Sequence, residues 1–431
     1  MAEAQPRMAD ARTTSADAQP RMADVRAKEE KRVTWAELFF DLVFVFAVTE
    51  VSALLHEDHS WPGILRALVV FVPIWWGWVG TSVHANTHDV DNPVDRIGIF
   101  TVGLASLFMA MATPGAYGGH GLLFGLSYLA LRIVLAALVF RGPHLTVNAF
   151  SVGLLVTGPL LTIGGLVHNE NVRLAIWGLA ALVDLATPRL TRRRLALVHF
   201  EASHLPERFG LFLIIALGES IVGIGLRAAG DLTVARGFAV AAAFVLTCAL
   251  WWVYFVFAAG AVRHAVATAA IQTDIIRPVL AYGHLAFVGA IIAVAVGLAD
   301  VVTDPLHHLH AGVAGLLYGG TALYLVTFGY TRWRMFHTLS VPRLTTAAVV
   351  LALLPVAMLA PALAALSLLA ALVSGLNAFE YAAVRRTRKA RSNAAAAPDE
   401  AAAPDAAWAA EDTSEPEESP APQPKAVPLS E

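Results

Sequence analysis

The sequence predicts an all-α membrane protein: a polytopic helical bundle of about 12 transmembrane helices, built as two parallel six-helix repeats. Three observations carry this. Hydrophobic residues make up 57% of the 431 positions and charged residues only 15%, with a mean hydropathy of +0.63. A water-exposed surface on a chain of this size needs more charge. The apolar residues also fall in runs of about 20, the length a helix needs to cross roughly 30 Å of hydrocarbon. Finally, arginines gather in alternate loops, as they do when one side of a membrane retains cations.

In chain order, the first half holds candidate spans at 36–55, 62–83, 97–114, 121–140, 147–167 and 173–187. The second holds spans at 206–226, 237–260, 276–299, 311–330, 344–360 and 362–384. The last two are divided only by Ala360 and Pro361, which read as a tight hairpin. With a cytoplasmic N-terminus, the internal loops carry Arg96, Arg141, Arg189, Arg192, Arg193, Arg194, Arg263, Arg277, Arg332, Arg334 and Arg343. The far side holds only Arg66, Arg173, Arg227 and Arg236. This bias puts both termini in the cytoplasm and the chain in an inner (plasma) membrane. Trp75, Trp76, Trp78, Trp251, Trp252 and Trp333 lie near span ends and read as interfacial anchors.

Around the spans, residues 1–32 form a polar cytoplasmic tail with a direct duplication, AQPRMAD at 4–10 and 18–24. The first repeat is expected over 33–188, a basic cytoplasmic linker over 189–205 and the second repeat over 206–385. An Ala/Pro/Glu-rich cytoplasmic tail occupies 386–431. Both tails read as disordered. The halves correspond at several positions: Glu37 and Phe39 with Glu207 and Phe209, an offset of 170. Trp75 pairs with Trp251, Arg96 with Arg277 and Tyr128 with Tyr318, and the offset drifts upward along the chain. Six helices per unit make the repeats parallel, related by an axis along the membrane normal.

An ionisable residue near the bilayer centre costs roughly 2.5–3.5 kcal/mol on insertion scales, so it faces protein or water. Glu37 and Asp41 lie one turn apart on one face of the first span, Arg132 in the fourth and Asp184 in the sixth. Glu207, Arg208 and Glu219 sit in the seventh. The functional reading is a polar ion or solute pathway through the bundle; the structural alternative is buried ion pairs on Arg132 or Arg208. Acids outnumber bases here, so pairing is not expected to satisfy all of them.

His84 and His88, followed by Asp89 and Asp91, have spacing that suits a divalent metal, although loop histidines are commonly just solvated. The lone Cys248 builds no disulfide or zinc site. No phosphate-cradling loop and no nucleophile arrangement is found, so no cofactor is expected. At a net charge of −3, nucleic acid is not an expected partner. The expected partners are the lipid bilayer and an ion or small solute, with a homodimer left open.

Trp35, Glu37, Phe39, Phe40 and Asp41 resemble the opening signature of the bacterial low temperature requirement A family. His204, Glu207, Arg208, Phe209, Gly210, Gly218, Glu219 and Ser220 resemble its second signature. The loop motif Asn86, Asp89, Asp91 and Arg96 is similar to that family's segment after its second helix, and Tyr128, Arg132, Asp184 and Pro188 also fit. The resemblance covers about 33–385 and departs at Pro206, a first-turn position where proline is tolerated. It implies a multi-pass membrane protein without an established substrate. More distantly, Glu37, Phe39, Asp41, Val43, Phe44, Ala47 and Thr49 are similar to the first helix of the endolysosomal potassium-channel family. Trp35 and Phe40 replace that family's Arg and Ser. This likeness implies a pore-lining first helix.

The leading expectation is therefore a channel or transporter for a cation, proton or small solute. A metal-dependent intramembrane enzyme acting on lipid or envelope precursors is the alternative, with His84, His88, Asp89 and Asp91 as its metal site. A sensor or scaffold acting through the tails is the third.

Overall fold

The computed structural model describes residues 31–140, 148–229 and 232–396. The duplicated N-terminal segment, Arg141 and most of the acidic tail lie outside the described residues. Twelve principal helices follow the expected spans. They are α1 (Trp35–Glu57), α2 (Trp61–Thr87), α3 (Pro93–Ala112), α4 (Gly121–Val139), α5 (Ala149–Leu166) and α6 (Glu170–Leu190). After the linker come α7 (His204–Ala228), α8 (Val234–Phe255), α9 (Thr273–Thr303), α10 (Ala311–Phe336), α11 (Val341–Ala357) and α12 (Ala362–Ala396). Among the described residues, ten helices are long and apolar enough to cross a membrane. The two outside that set are α6, which carries Glu170, Arg173, Asp184 and Arg189, and α11, which has 17 residues.

The helices begin where the sequence supplies caps. Ser60 caps α2 and Asn92 caps α3, in each case with a proline in the first turn. Thr34 and Glu37 close a reciprocal capping box on α1. Ala360 and Pro361 do make a tight turn between α11 and α12. There the amides of Ala362 and Leu363 donate to the carbonyls of His307 and Pro305, both at 2.8 Å. Arg343 and Glu380 then join these two helices through two hydrogen bonds of 2.8 and 2.9 Å.

Large apolar side chains point outward along most spans, among them Phe39, Leu42, Leu104, Ile163, Leu182 and Phe238. A water-soluble surface does not carry such a belt; a lipid-facing one does. The chain is a membrane protein. Inside, α9 is the most buried of the ten spans and packs along both α7 and α10. The α1 helix packs on α2, α3, α7 and α9. A second unit begins at Tyr381; its described part is helical and carries Arg385, Arg386 and Lys389.

The tryptophans divide sharply. Trp251, Trp252 and Trp333 are 40–45% exposed, as anchors should be. Trp75 and Trp78 are fully buried, and Trp76 nearly so, which corrects the anchor reading for all three. Each buried indole N–H must find an acceptor. Trp75 finds the Ala281 carbonyl at 3.0 Å and Trp78 finds Asp41 at 2.8 Å.

Candidate functional site

The site is organised by α1 and α7, which run parallel. Glu37 meets His204 and Arg208, Thr49 meets Glu219, and His56 meets Arg227. Residue numbers rise together on both helices at separations of 167, 171, 170 and 171, so the pair is in register along its whole length.

At the Thr34 end lies a fully buried cluster. Glu37 serves as the third residue of the α1 capping box and also accepts from Arg208 Nη1. Its carboxylate is 3.2 Å from His204 Nε2. Asp41 Oδ1 accepts from Arg208 Nη2 at 2.6 Å and from Trp78 Nε1 at 2.8 Å. Asp41 Oδ2 and Arg208 Nε are buried without a hydrogen-bond partner.

The protonation of His204 follows from Asn86. The Asn86 side-chain carbonyl accepts from the Glu201 amide, while its Nδ2 donates to the Glu201 carbonyl, both at 3.1 Å. That fixes the amide orientation. Nδ2 therefore also donates to His204 Nδ1 at 3.2 Å. That contact suits a His204 ring with its proton on Nε2, directed at Glu37. Two carboxyl groups then share a single guanidinium. Asp41 Oδ2 is the carboxylate oxygen of this cluster that is left without a partner.

A second cluster lies between α4 and α6. Arg132 Nη2 is 3.4 Å from Asp184 Oδ1, and Arg132 Nε donates to the Tyr128 hydroxyl at 2.8 Å. Tyr128 in turn donates to Asp184. One acid meets one base, and the cluster is neutral. A π-helical turn, Gly153–Thr157, makes room for it: a Cβ at Gly153 would meet Arg132 Nε at 2.8 Å.

Glu219 stands apart from both clusters. It is 6% exposed and accepts from Thr49 Oγ1 at 2.5 Å. Among the described residues it has no ion-pair partner. Between it and Asp41 the α1–α7 seam is filled by Phe44 and Phe212, with ring centroids 6.2 Å apart. Trp78 seals one side, 4.4 Å from the Phe212 ring.

Glu37 and Asp184 each meet a guanidinium, Asp41 shares Arg208 with Glu37 and keeps one oxygen without a partner, and Glu219 accepts only from neutral donors. Glu207, read as a pathway residue, is exposed on a wide cleft of about 1730 Å³ at the Thr34 end. Asp89, Asp91 and Arg96 line the same cleft. There Arg96 bonds Asp91 at 3.3 Å and Asp89 accepts from the Asp91 amide at 3.0 Å. Lys31, also on the cleft, covers the end of α2 by donating to the carbonyls of Ala85, Asn86 and His88. Burial lowers its pKa despite neighbouring carboxylates.

The suggested metal group does not converge. His84 Nε2 is buried on Asp95 Oδ1 at 3.0 Å, and His88 Nδ1 lies 3.2 Å from the His84 carbonyl. Asp89 and Asp91 are occupied within their own turn. The reading overlooked His204, Trp78 and Thr49. Trp78 could have been found by asking where the N–H of an indole inside a span goes; His204 and Thr49 entered only through the resemblances, and nothing local marks their place in the site.

Residues 32–378 match the family model described as bacterial low temperature requirement A protein. The chain belongs to the low temperature requirement A family. An uncharacterized protein of Rhizobium meliloti (strain 1021) is 31% identical over 315 residues, covering 69% of this chain and 76% of that protein. No solved structure matches, so the distant likeness to the endolysosomal potassium-channel family gains no support. For this member of the low temperature requirement A family, the two signatures meet in space: Glu37 and Asp41 of the first share Arg208 of the second.

Proposed function

We propose that this protein moves a cation or proton across a bacterial inner membrane, along the seam between α1 and α7. The observation that carries the reading is the charge deficit at Asp41: two buried carboxyl groups, one guanidinium and a neutral imidazole. A buried site of that composition binds one positive charge, and a group that gains and loses a proton or cation inside the bilayer is what a transport path needs.

The other parts fit this path. The cleft at the Thr34 end is lined by Thr34, whose amide and hydroxyl donate to Glu37 at the edge of the cluster. Phe44 and Phe212 close the seam above it, and a dry aromatic constriction is a recognised form of gate. Beyond them Glu219 offers a second carboxyl group. Asp41 and Thr49 are eight residues apart, about 12 Å along a helix. The arginine bias favours a cytoplasmic Thr34 end, in keeping with cytoplasmic termini.

Two features support the reading of the bundle as parallel repeats. The α1–α7 contacts have the same separation, near 170, as the sequence correspondence of Glu37 with Glu207. In addition, Tyr128 joins α4 to α6, as Tyr318 joins α10 to α12 through the Ala365 carbonyl at 2.7 Å. The equivalent first helices then line the axis between the two halves, where transporters with internal repeats place their sites.

The test is flux of protons and potassium into proteoliposomes, comparing the natural chain with D41N and E219Q. Loss of flux in both, with unchanged folding, is expected. Natural flux in both removes these residues from the path and overturns the reading.

A further inference from the structure

At the opposite end of the seam, α1 finishes in a second polar group that the transport reading does not use. His56 closes α1, His59 follows in the next turn, and Asp300 reaches them from the end of α9. One ligating atom from each lies within 4.8 Å of the others. His56 Nδ1 is 3.5 Å from Asp300 Oδ1, and His59 Nε2 is 3.6 Å from Asp300 Oδ2. We propose that His56, His59 and Asp300 form a binding site for a first-row divalent cation of zinc type.

The donor spacing is the first argument. Zinc–nitrogen and zinc–oxygen bonds of about 2.0–2.1 Å put tetrahedral ligands roughly 3.4 Å apart, and each imidazole lies near that distance from one oxygen of Asp300, so a small turn of the carboxylate presents a single oxygen to both. Two imidazoles and one carboxylate are also a set that first-row divalent ions bind well. The second argument is that the facing atoms have no other use. His59 Nε2 and Asp300 Oδ2 are both shielded from solvent and have no hydrogen-bond partner. The third is that the backbone accommodates His59. A Cβ at Gly312 would come within 2.7 Å of the His59 Cβ and 3.1 Å of its carbonyl oxygen. Side-chain exposures of 27% for His56, 25% for His59 and 23% for Asp300 leave an entry route.

Arg227 makes the site conditional. Its Nη2 is 2.8 Å from His56 Nε2, and a guanidinium can only donate. In this state the neutral ring carries its proton on Nδ1, toward Asp300. A metal on Nδ1 requires that proton on Nε2, which faces the Arg227 donor, so the His56–Arg227 contact must open. Metal binding therefore unties the end of α1 from the end of α7, with no net change in the protonation of the ring.

The experiment is a calorimetric titration of the purified full chain in detergent with zinc alone, paired with metal analysis after gel filtration. One zinc per chain is expected at micromolar concentration. H59Q and D300N should each weaken binding by about tenfold or more, and R227Q should tighten it, because the competing donor is gone. Folding of each variant is checked by its melting profile. Unchanged affinity in H59Q and D300N overturns the site. So does zinc that is lost only when His307, His308 and His310, the histidines of the loop between α9 and α10, are replaced together. Affinity unaltered in R227Q overturns the exchange with Arg227. Zinc binding is read without flux, so failure here and failure of the transport reading are separate results.

Discussion

Two buried clusters in this protein are made from the same kinds of residue and differ in one number. Around Arg132 a single acid, Asp184, meets a single guanidinium, with Tyr128 filling the remaining hydrogen bonds. Around Arg208 two acids, Glu37 and Asp41, meet a single guanidinium and a neutral His204. The first is a pin: every charge has its counterpart and nothing needs to come or go. The second, on the reading proposed above, is one positive charge short, and one oxygen of Asp41 is left without a partner. Buried ionic groups in a membrane are therefore not functional merely by being there; their balance decides.

The comparison breaks most severely at the arginines. R132Q leaves Asp184 buried without its cation, at a cost of about 3–5 kcal/mol, read as a lower melting temperature in detergent. The R132Q/D184N double variant should recover part of that loss, because both charges leave together. Should R132Q melt like the natural chain, the cluster is not a pin.

At the other cluster the sign reverses. D41N removes the surplus carboxylate, so stability is expected to hold or rise while flux is lost. A D41N protein as destabilised as R132Q would place Asp41 among ordinary paired charges. F44A and F212A should each raise leak flux through the seam, with a core-cavity cost of about 3–5 kcal/mol; tight vesicles would mean the rings are packing alone. The smallest effect is expected at the α1 cap. T34A leaves the Glu37–Arg208 contact in place and costs about 1 kcal/mol, measured as a small fall in melting temperature.

Much of the architecture was readable beforehand, because apolar runs and alternating arginines act over 20 residues at a time and do not depend on neighbours. All twelve segments became helices, although α6 and α11 fall outside the set that is long and apolar enough to span. The site was readable only in its list of residues. Glu37, Asp41 and Arg208 stood out as costly in hydrocarbon, yet their pairing depends on α1 lying parallel to α7, a contact 170 residues distant. His204 was named only as part of a family signature, and its place beside Glu37 was not legible because it depends on Asn86 of a third helix. The tryptophans misled for the opposite reason: span-end position suggests an interface, but α2 is packed on both sides near Trp75 and Trp78. The His84 group failed because Asp95 reaches His84 before any metal could.

The constant register of α1 against α7 has a mechanical outcome. Glu37, Asp41, Thr49 and His56 are fastened to one partner helix at the same pitch, so a slide of one helix along the other cannot loosen them one by one. A shift of a single residue, about 1.5 Å, would misalign every fastening together. A slide along this seam therefore has to break these fastenings together and not in sequence.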